Sequence, residues 1–227
     1  MKYVIKLLKT NFEDTMIIPA LGNHDSYPYD TFVDAHLNST KVNDTLKEFY
    51  QDYISQGALG DLFKHLEGNA RDSFVDNCGF YVSKSTTLYE AMNKTQTFIV
   101  LNTNMYYNNP ATVKKEDPCN QLAMLESHLA NATENENVFI VGHVPPGFFD
   151  LHPAEPFFND ENITRKMMDI VTKEEYAKKV VAHFYGHTHT SSFRLLFRNE
   201  SSPSPSGIAF IAPSITPRVR ITSVFLV

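Results

Sequence analysis

Three short motifs place asparagine or histidine directly after an apolar run that ends in glycine. Residues 22–25 read Gly-Asn-His-Asp, residues 142–147 read Gly-His-Val-Pro-Pro-Gly, and residues 186–189 read Gly-His-Thr-His. Glycine allows the backbone to turn sharply where a strand ends. Imidazole nitrogens together with amide or carboxylate oxygens suit zinc, iron or manganese better than calcium. The motifs therefore indicate a transition-metal site, whose candidate ligands are Asn23, His143, His187 and His189.

The chemistry that such a site performs depends on how many ions it holds. The two histidines of the third motif are two positions apart, so in a turn they can reach two different ions. Two ions about 3.5–4 Å apart clamp a phosphoryl group for in-line attack. A single histidine after a strand is more often a structural polar residue than a ligand. The three motifs together favour a two-metal hydrolytic site.

Apolar runs before the motifs predict the strands that position them. Residues 15–21, 138–141 and 180–185 precede the three motifs, and residues 97–102 form a fourth run. Continuous apolar runs of this length are typical of strands buried on both faces of a sheet. Ligands collect at the carboxyl ends of such strands. We therefore expect the three loops to meet at one edge of the sheet.

The rest of the chain completes a layered fold. Apolar residues at helical spacing predict helices at residues 1–12, 43–55, 118–129 and 160–179. Further strands are predicted at residues 80–82, 193–197, 208–211 and 219–227, the last three as an antiparallel run, with a surface loop at residues 201–207. Strands that alternate with helices and then follow one another predict an α/β or α+β layered sandwich with helices outside.

Composition restricts the possible partners. The chain has 227 residues, 42% of them hydrophobic, which suits one domain over residues 1–227. A net charge of -6 disfavours a nucleic acid polymer as partner, because such proteins usually carry a basic patch. A small phosphate-bearing substrate remains compatible, since bound metal supplies positive charge. No apolar run reaches the roughly 18 residues that a transmembrane segment needs. Oligomeric state is left open.

Six Asn-x-Ser/Thr sequons bear on the compartment. They exceed the number that the composition would give by chance, which favours a secreted or lysosomal (lumenal) glycoprotein. The alternative is a polar, asparagine-rich surface that is never glycosylated. The acceptor residues are Asn38, Asn43, Asn93, Asn131, Asn162 and Asn199.

A family resemblance follows from these motifs. Residues 22–25, 142–143 and 186–189 resemble the last three metal-site motifs of the calcineurin-like metallophosphoesterases. Longer stretches resemble the acid sphingomyelinase-like phosphodiesterases, and the likeness extends over residues 5–218. Those stretches are residues 20–25, 101–104, 141–149, 184–190 and 212–217. The resemblance implies a metallophosphoesterase-type β-sandwich flanked by helices.

The resemblance also implies roles for individual residues. Asn23, His143 and His187 would bind one divalent ion, and His189 would bind a second, with zinc as the expected metal. The implied reaction is hydrolysis of a phosphodiester, of nucleotide or phospholipid-headgroup type, by in-line attack of a metal-bound hydroxide. Which of these substrates is physiological stays open.

Two further roles concern the leaving group. His24 would act as a general acid, or would donate to the phosphoryl oxygens as the leaving group departs. Asp25 would orient His24, although adjacency in sequence makes that geometry awkward.

The chain departs from the family pattern at its beginning. The family places an Asp-x-His motif and a Gly-Asp-x-x-Asp-type motif upstream of Gly22, and neither is present here. We therefore expect a catalytic domain that lacks its first strands, is incomplete at both termini, has exposed apolar surface and, as this chain alone, lacks activity. A signal peptide would also lie upstream. The alternative is a catalytically incomplete secreted glycoprotein that acts as a binding or decoy protein.

Five other residues have more than one interpretation. Spacing does not decide whether Cys78 pairs with Cys119. His183 lies inside a predicted strand and is interpreted as a core histidine. Tyr106 and Tyr107 follow a strand end, where they would either stack on a substrate group or, as we favour, pack in the core or at the rim.

Overall fold

The structure is a computed structural model, and it describes residues 2–13, 15–25, 50–51, 62–63, 66, 68–86, 94–107, 116–149, 152–158 and 160–214. Within these ranges the strands are β1 (Tyr81–Ser85), β2 (Thr95–Val100), β3 (Glu136–Val141), β4 (Phe148–Phe149), β5 (His152–Pro156), β6 (Val180–Tyr185), β7 (Ser192–Leu196) and β8 (Gly207–Ile211). The α-helices are α1 (Lys2–Asn11), α2 (Ala70–Asp76), α3 (Gln121–Asn131), α4 (Glu161–Val171) and α5 (Glu174–Ala177). Short 3₁₀ turns occur at Asn23–Asp25, Thr103–Tyr106 and Pro118–Asn120.

Six strands form one mixed sheet in the order β1-β2-β3-β6-β8-β7. The four inner strands run parallel, and the edge strands β1 and β7 are antiparallel to their neighbours. Strands β4 and β5 pair separately as a small antiparallel sheet. The mixed α/β class is confirmed. The parallel arrangement brings the ends of β3 and β6, each followed by a predicted motif, to the same edge of the sheet.

One face of the sheet is covered by helices. Alternate residues of β2 and β3 point to opposite faces, so Ile99, Val138 and Ile140 lie on the helical side. There they pack with the apolar stripes of α3 and α4, which include Leu125 and Met167. All five side chains are at most 1% exposed. This core holds the parallel strands in register beneath the motif loops.

A second core lies around β1. It includes Leu21, Phe74 and Tyr81, and it contains a disulfide between Cys78 and Cys119, which answers the question that spacing left open. Burial raises the pKa of Tyr81, and its hydroxyl donates to the carbonyl of Pro19 at 2.6 Å. These contacts anchor the chain that leads to the first motif.

The opposite face of the sheet carries an apolar surface. Phenylalanines on neighbouring strands stack in a row, with ring centroids 5.2–6.3 Å apart. The row runs over Phe98, Phe139, Phe184 and Phe210, and Phe193 on β7 lies opposite Phe210. Phe193 is 63% exposed. The row covers a face of the sheet rather than a free strand edge, so the expectation of an exposed apolar edge stays a prediction.

Three predicted elements differ from the structure. Residues 15–21 do not form a strand, and Pro19, which has no N–H, could not complete a ladder there. The helix predicted over residues 160–179 breaks after Val171, where the Thr172 hydroxyl bonds back to the Met168 carbonyl at 2.6 Å. Strand β8 pairs parallel with β6 and is antiparallel only to β7.

The remaining predicted elements are confirmed or lie outside the described residues. The strands predicted at residues 80–82, 97–102, 138–141 and 180–185 correspond to β1, β2, β3 and β6. The helices predicted over residues 1–12 and 118–129 correspond to α1 and α3. Most of residues 43–55 and all of residues 219–227 lie outside the described part. None of the helices in the described part is long and apolar enough to cross a membrane.

Candidate metal centre

The loop after β3 presents His143 at the edge of the sheet. Gly142 makes this possible because a Cβ there would lie 2.8 Å from Cγ2 of Thr103 and 3.1 Å from Cε1 of Tyr185. The Gly142 N–H donates to the Phe184 carbonyl at 3.0 Å, which continues the ladder between β3 and β6 for one more step. His143 therefore emerges from a tightly packed turn.

The loop after β6 is tied to the same place. Gly186 N–H donates to the His143 carbonyl at 2.9 Å. His187 and His189 then adopt left-handed backbone conformations, with φ of 71° and 60°. For residues other than glycine this conformation costs about 1–3 kcal/mol each; Cys78, Cys119 and Asn120 also adopt it, away from these loops. The strained backbone is consistent with a loop whose conformation is set by the positions that the His187 and His189 side chains occupy.

Asn23 lies in the 3₁₀ turn of residues 23–25 and is 8% exposed. The Asp25 carboxylate accepts a hydrogen bond from Gly22 N–H at 2.8 Å, while Asp25 N–H donates to the Gly22 carbonyl at 3.0 Å. Asp25 thus closes the turn on which Asn23 sits. This contact gives Asp25 a part in holding Asn23, in addition to the expected part beside His24.

Three of the candidate ligands converge. Oδ1 of Asn23 lies 2.8 Å from Nε2 of His143, and Nδ1 of His187 lies 3.4 Å from the same nitrogen. The His143 and His187 rings meet edge to face with centroids 5.2 Å apart. Side chains from three distant parts of the chain therefore direct one oxygen and two nitrogens at a common point.

The electrostatics of the cluster keep His143 neutral. Burial, together with positive charge on His187, His189 and His24, lowers the pKa of His143 from 6.5 to about 3. His24 adjoins Asn23 in the 3₁₀ turn of residues 23–25, and His189 follows His187 by two residues in the loop after β6. A neutral imidazole keeps a lone pair free, which is the form that binds a metal.

The donor atoms fit a metal ion by their chemistry and spacing. Donors that share a tetrahedral zinc with bonds of about 2.0–2.1 Å lie about 3.3 Å apart. The measured separations of 2.8 and 3.4 Å bracket that value. Across the described residues, no three His, Cys, Asp or Glu side chains form a group that could hold a metal ion, so His189 does not join His143 and His187 in such a group.

A cavity of about 330 Å³ opens beside these histidines. His187 forms part of its wall and packs edge to face against Tyr107 and Phe157, with ring centroids 4.7 and 5.7 Å away. Its lining residues are Tyr107, Phe149, Pro156, Phe157, His187, Thr188 and His189. The cavity therefore combines an aromatic wall with two candidate metal ligands.

Sequence reasoning missed Arg194, which supports this wall. Its guanidinium donates to the carbonyls of Pro146 and Phe148, both at 2.8 Å. It also lies over the Phe157 ring, 5.3 Å from the centroid. A lone arginine on a predicted strand carries no spacing signal, so only the structure reveals this contact.

The glycosylation candidates divide into two groups. Asn131, Asn162 and Asn199 are exposed, as expected for acceptor sites. Asn38, Asn43 and Asn93 lie outside the described residues.

The sequence is similar to known phosphodiesterases. The chain is 33% identical over 216 residues to human cyclic GMP-AMP phosphodiesterase SMPDL3A, and 32% identical over 214 residues to human acid sphingomyelinase-like phosphodiesterase 3b. These alignments cover 92% and 93% of this chain but 41% and 42% of the relatives, so the chain spans about two-fifths of their length. Sphingomyelinase phosphodiesterase C of Dictyostelium discoideum is 31% identical.

Fold comparison and family assignment point the same way. The solved structure titled "Structure of PhoD" superposes with a TM-score of 0.50 at 16% identity, covering 86% of this chain and 39% of that one. The model of the calcineurin-like phosphoesterase family matches residues 2–191. The chain belongs to the calcineurin-like phosphoesterase family.

Proposed function

We propose that this chain contributes to the metal-dependent hydrolysis of phosphodiester bonds. The observation that carries the proposal is the convergence of Asn23 Oδ1, His143 Nε2 and His187 Nδ1 within 2.8–3.4 Å. Membership of a phosphoesterase family, and relatives named as phosphodiesterases, support the same reaction. Those relatives give no support to a binding or decoy protein without turnover.

The residues of the cluster define how metal would be held. Asn23, His143 and His187 would bind one divalent ion, with zinc favoured by the mixed nitrogen and oxygen donors. His189 would contribute to a second ion. Such ions, when bound, would supply Lewis-acid polarisation of the phosphoryl group and activation of water at neutral pH. The chain's part in this is to present neutral imidazoles, and burial of His143 supports that protonation state.

Protonation of the leaving group is assigned to His24. Its side chain is exposed at the turn that carries Asn23, and its charge is felt by His143. From this position, the imidazole would transfer a proton to the departing alcohol oxygen. Asp25, which accepts from Gly22 N–H, would keep the turn and therefore His24 in place.

The aromatic cavity favours a nucleotide-type substrate over a choline headgroup. Tyr107, whose partly exposed ring lines the cavity, offers a surface on which a base can stack, a contact worth about 1–3 kcal/mol per base. A quaternary ammonium would be repelled there, because the Arg194 guanidinium already lies over Phe157. The named relatives include both a cyclic GMP-AMP phosphodiesterase and sphingomyelinase-like proteins, so both classes belong in the test.

The test is hydrolysis of bis(p-nitrophenyl) phosphate by the chain joined to the two upstream motifs of the family pattern, before and after chelation and after addition of Zn²⁺, because the chain alone is expected to be inactive. We expect turnover that chelation abolishes and Zn²⁺ restores, and that His143→Ala removes. His128→Ala, an exposed histidine on α3, is the matched control and should leave turnover unchanged. Absence of turnover under Zn²⁺ saturation, or turnover that survives His143→Ala, overturns the proposal.

We also propose that the chain is a secreted or lysosomal glycoprotein. The exposed sequons at Asn131, Asn162 and Asn199 support this location. Expression in a eukaryotic secretory host should give a mass that falls on treatment with an N-glycosidase. Each Asn→Gln substitution should remove one glycan, and an unchanged mass after treatment would contradict the proposal.

A further inference from the structure

The segment after β2 is buried and polar although it holds no candidate ligand. Asn102, Thr103 and Asn104 are 1%, 0% and 2% exposed. Buried polar side chains cost free energy unless hydrogen bonds satisfy them, so a cluster of three needs a structural reason. Hydrogen bonds from this segment reach two loops, the one that carries Asn23 and the one that carries His143. These two candidate ligands have donor atoms 2.8 Å apart.

Thr103 holds the loop of His143. Its Oγ1 accepts hydrogen bonds from His143 N–H at 3.0 Å and Val144 N–H at 2.8 Å. Its Cγ2 would lie 2.8 Å from a Cβ on Gly142, so the backbone before His143 rests directly on this side chain. A single hydroxyl therefore fixes the backbone on both sides of the His143 side chain.

Asn104 holds the loop of Asn23. Its Nδ2 donates to the Leu21 carbonyl at 2.7 Å and to Oδ1 of Asn102 at 2.9 Å. Asn102 is itself fixed, because its Nδ2 donates to the Cys78 carbonyl at 2.9 Å and its N–H donates to Oε1 of Gln121 at 2.8 Å. The chain two residues before Asn23 is thus tied to the same rigid segment.

We propose that Thr103 and Asn104 are positioning residues that set the separation of Asn23 and His143 before any metal binds. The two candidate ligands are 120 positions apart in sequence, yet their donor atoms lie 2.8 Å apart. Adjacent side chains of one short turn hold the two loops. A displacement of that turn therefore moves both loops together and leaves the distance between Asn23 and His143 nearly unchanged. The ligand pair is therefore preorganised, which lowers the cost of binding an ion. The inference rests on the proposed metal site.

The first test measures Zn²⁺ affinity by competition with a chromogenic chelator. Thr103→Val keeps the shape of the side chain but removes the acceptor, and we expect affinity to fall about 10–100-fold, the usual effect of losing a group that orients a ligand. Thr103→Ser keeps the hydroxyl and should bind Zn²⁺ nearly as tightly as the original chain. Asn104→Ala, which removes the bond to Leu21, should weaken binding in the same direction and serves if Thr103→Val does not fold.

Thr97→Val is the matched control. Thr97 lies on β2, is 3% exposed, and donates from Oγ1 to Oε2 of Glu136 at 2.7 Å, away from the motif loops. The same substitution there removes a buried hydroxyl without touching either ligand loop. We expect Zn²⁺ affinity to be unchanged. An equal loss of affinity in Thr97→Val would reduce the role of Thr103 to general stability and refute the proposal.

A second readout needs no metal. In the metal-free chain, nuclear Overhauser contacts between the Asn23 side-chain amide and the His143 ring should be present, and the amides of His143 and Val144 should exchange slowly. Thr103→Val should lose both properties, whereas Thr103→Ser and Thr97→Val should keep them. Retention of the contact in Thr103→Val overturns the positioning role. Failure of the original chain to bind Zn²⁺, with the contact still dependent on Thr103, overturns only the metal site.

Discussion

Oδ1 of Asn23 lies 2.8 Å from Nε2 of His143, a contact between residues 120 positions apart that the sheet alone does not require. Both atoms are ones that bind divalent metals, and burial keeps the imidazole in its neutral form. A purely structural Asn–His hydrogen bond would not need His187 to direct Nδ1 at the same nitrogen from 3.4 Å. The three atoms together are the reason to treat this edge of the sheet as a metal centre.

The first prediction concerns the oxygen donor of Asn23. Asn23→Leu removes that donor while keeping a side chain of similar size, so Zn²⁺ affinity should fall by at least about 10-fold. Asn23→Asp keeps an oxygen at the same position, adds a negative charge, and should retain Zn²⁺. Isothermal titration with Zn²⁺ distinguishes the two. Equal binding by both variants would show that Asn23 is not a ligand.

A second prediction separates acid catalysis from metal binding. His24→Ala should lower the rate with a poorly leaving alcohol by about 10²–10⁴, because a general acid matters most when the leaving oxygen is basic. A p-nitrophenyl ester should lose much less, since nitrophenolate leaves without protonation. Steady-state rates on both substrates at matched Zn²⁺ occupancy provide the measurement. Parallel losses on the two substrates would count against the role of His24.

A third prediction tests the aromatic wall of the cavity. Tyr107→Leu removes the ring but keeps apolar bulk beside His187, so KM for a nucleotide-type phosphodiester should rise about 10-fold or more through lost stacking. KM for bis(p-nitrophenyl) phosphate is expected to change as well, because its rings can also stack. A choline phosphodiester should be the least affected. Greater loss on the choline ester would reverse the proposed substrate preference.

The parallel strands were the most predictable part of the fold. Buried parallel strands have continuous apolar sequences, and β3 and β6 were identified from that property together with the glycine that ends each run. The run at residues 15–21 has similar composition but lacks the pairing, because Pro19 has no N–H and its carbonyl accepts from Tyr81 instead. The apolar composition of a segment indicates that it is buried. Whether it forms a strand also depends on hydrogen bonds to another strand, which is remote in sequence.

The metal centre shows a similar division. The candidate ligands could be named because each follows a glycine at the end of an apolar run, where the backbone can turn and present a metal-binding side chain. Thr103 could be singled out only as part of a family-like stretch, because a threonine has no local signal for accepting two N–H groups from residues 40 positions away. Arg194 gave no signal at all, and its contacts with Pro146 and Phe148 depend on how β7 lies beside the motif loop.

A fourth prediction concerns the disulfide. Cys78–Cys119 closes a loop with a sequence separation of 41, and restricting such a loop in the unfolded chain is worth about 4 kcal/mol. Replacing both cysteines by serine should therefore lower the free energy of unfolding in urea by about 2–5 kcal/mol. The Asn23–His143 contact lies in other loops and should persist in the folded fraction. A loss well under 1 kcal/mol would show that the bridge does not restrict the unfolded chain.

The last prediction is a dependence of stability on pH that arises from His183. This residue is 1% exposed in the middle of β6, its neighbours across the sheet are Ile140 and Ala209, and Nδ1 lies 3.4 Å from the Tyr185 hydroxyl. Burial lowers the pKa of His183 from 6.5 to about 4. The folded state therefore excludes a proton that the unfolded state binds.

The sign of the effect follows from this difference. Above pH 6.5 the imidazole is neutral in both states and contributes no pH dependence. As pH falls from 6.5 to 4 the unfolded state takes up the proton first, so His183 should reduce the free energy of unfolding by about 3 kcal/mol across that window. Below pH 4 both states are protonated and the loss is complete.

His183→Phe isolates this contribution. The substitution keeps a ring that can stack on Tyr185 but cannot titrate, so the variant should be less sensitive to acid by about 3 kcal/mol between pH 6.5 and 4. Urea unfolding of the original chain and His183→Phe at several pH values measures the difference between the two curves. Other groups titrate equally in both chains and cancel in that difference. Parallel curves for the original chain and His183→Phe would mean that His183 is protonated, or accessible to water, inside the fold.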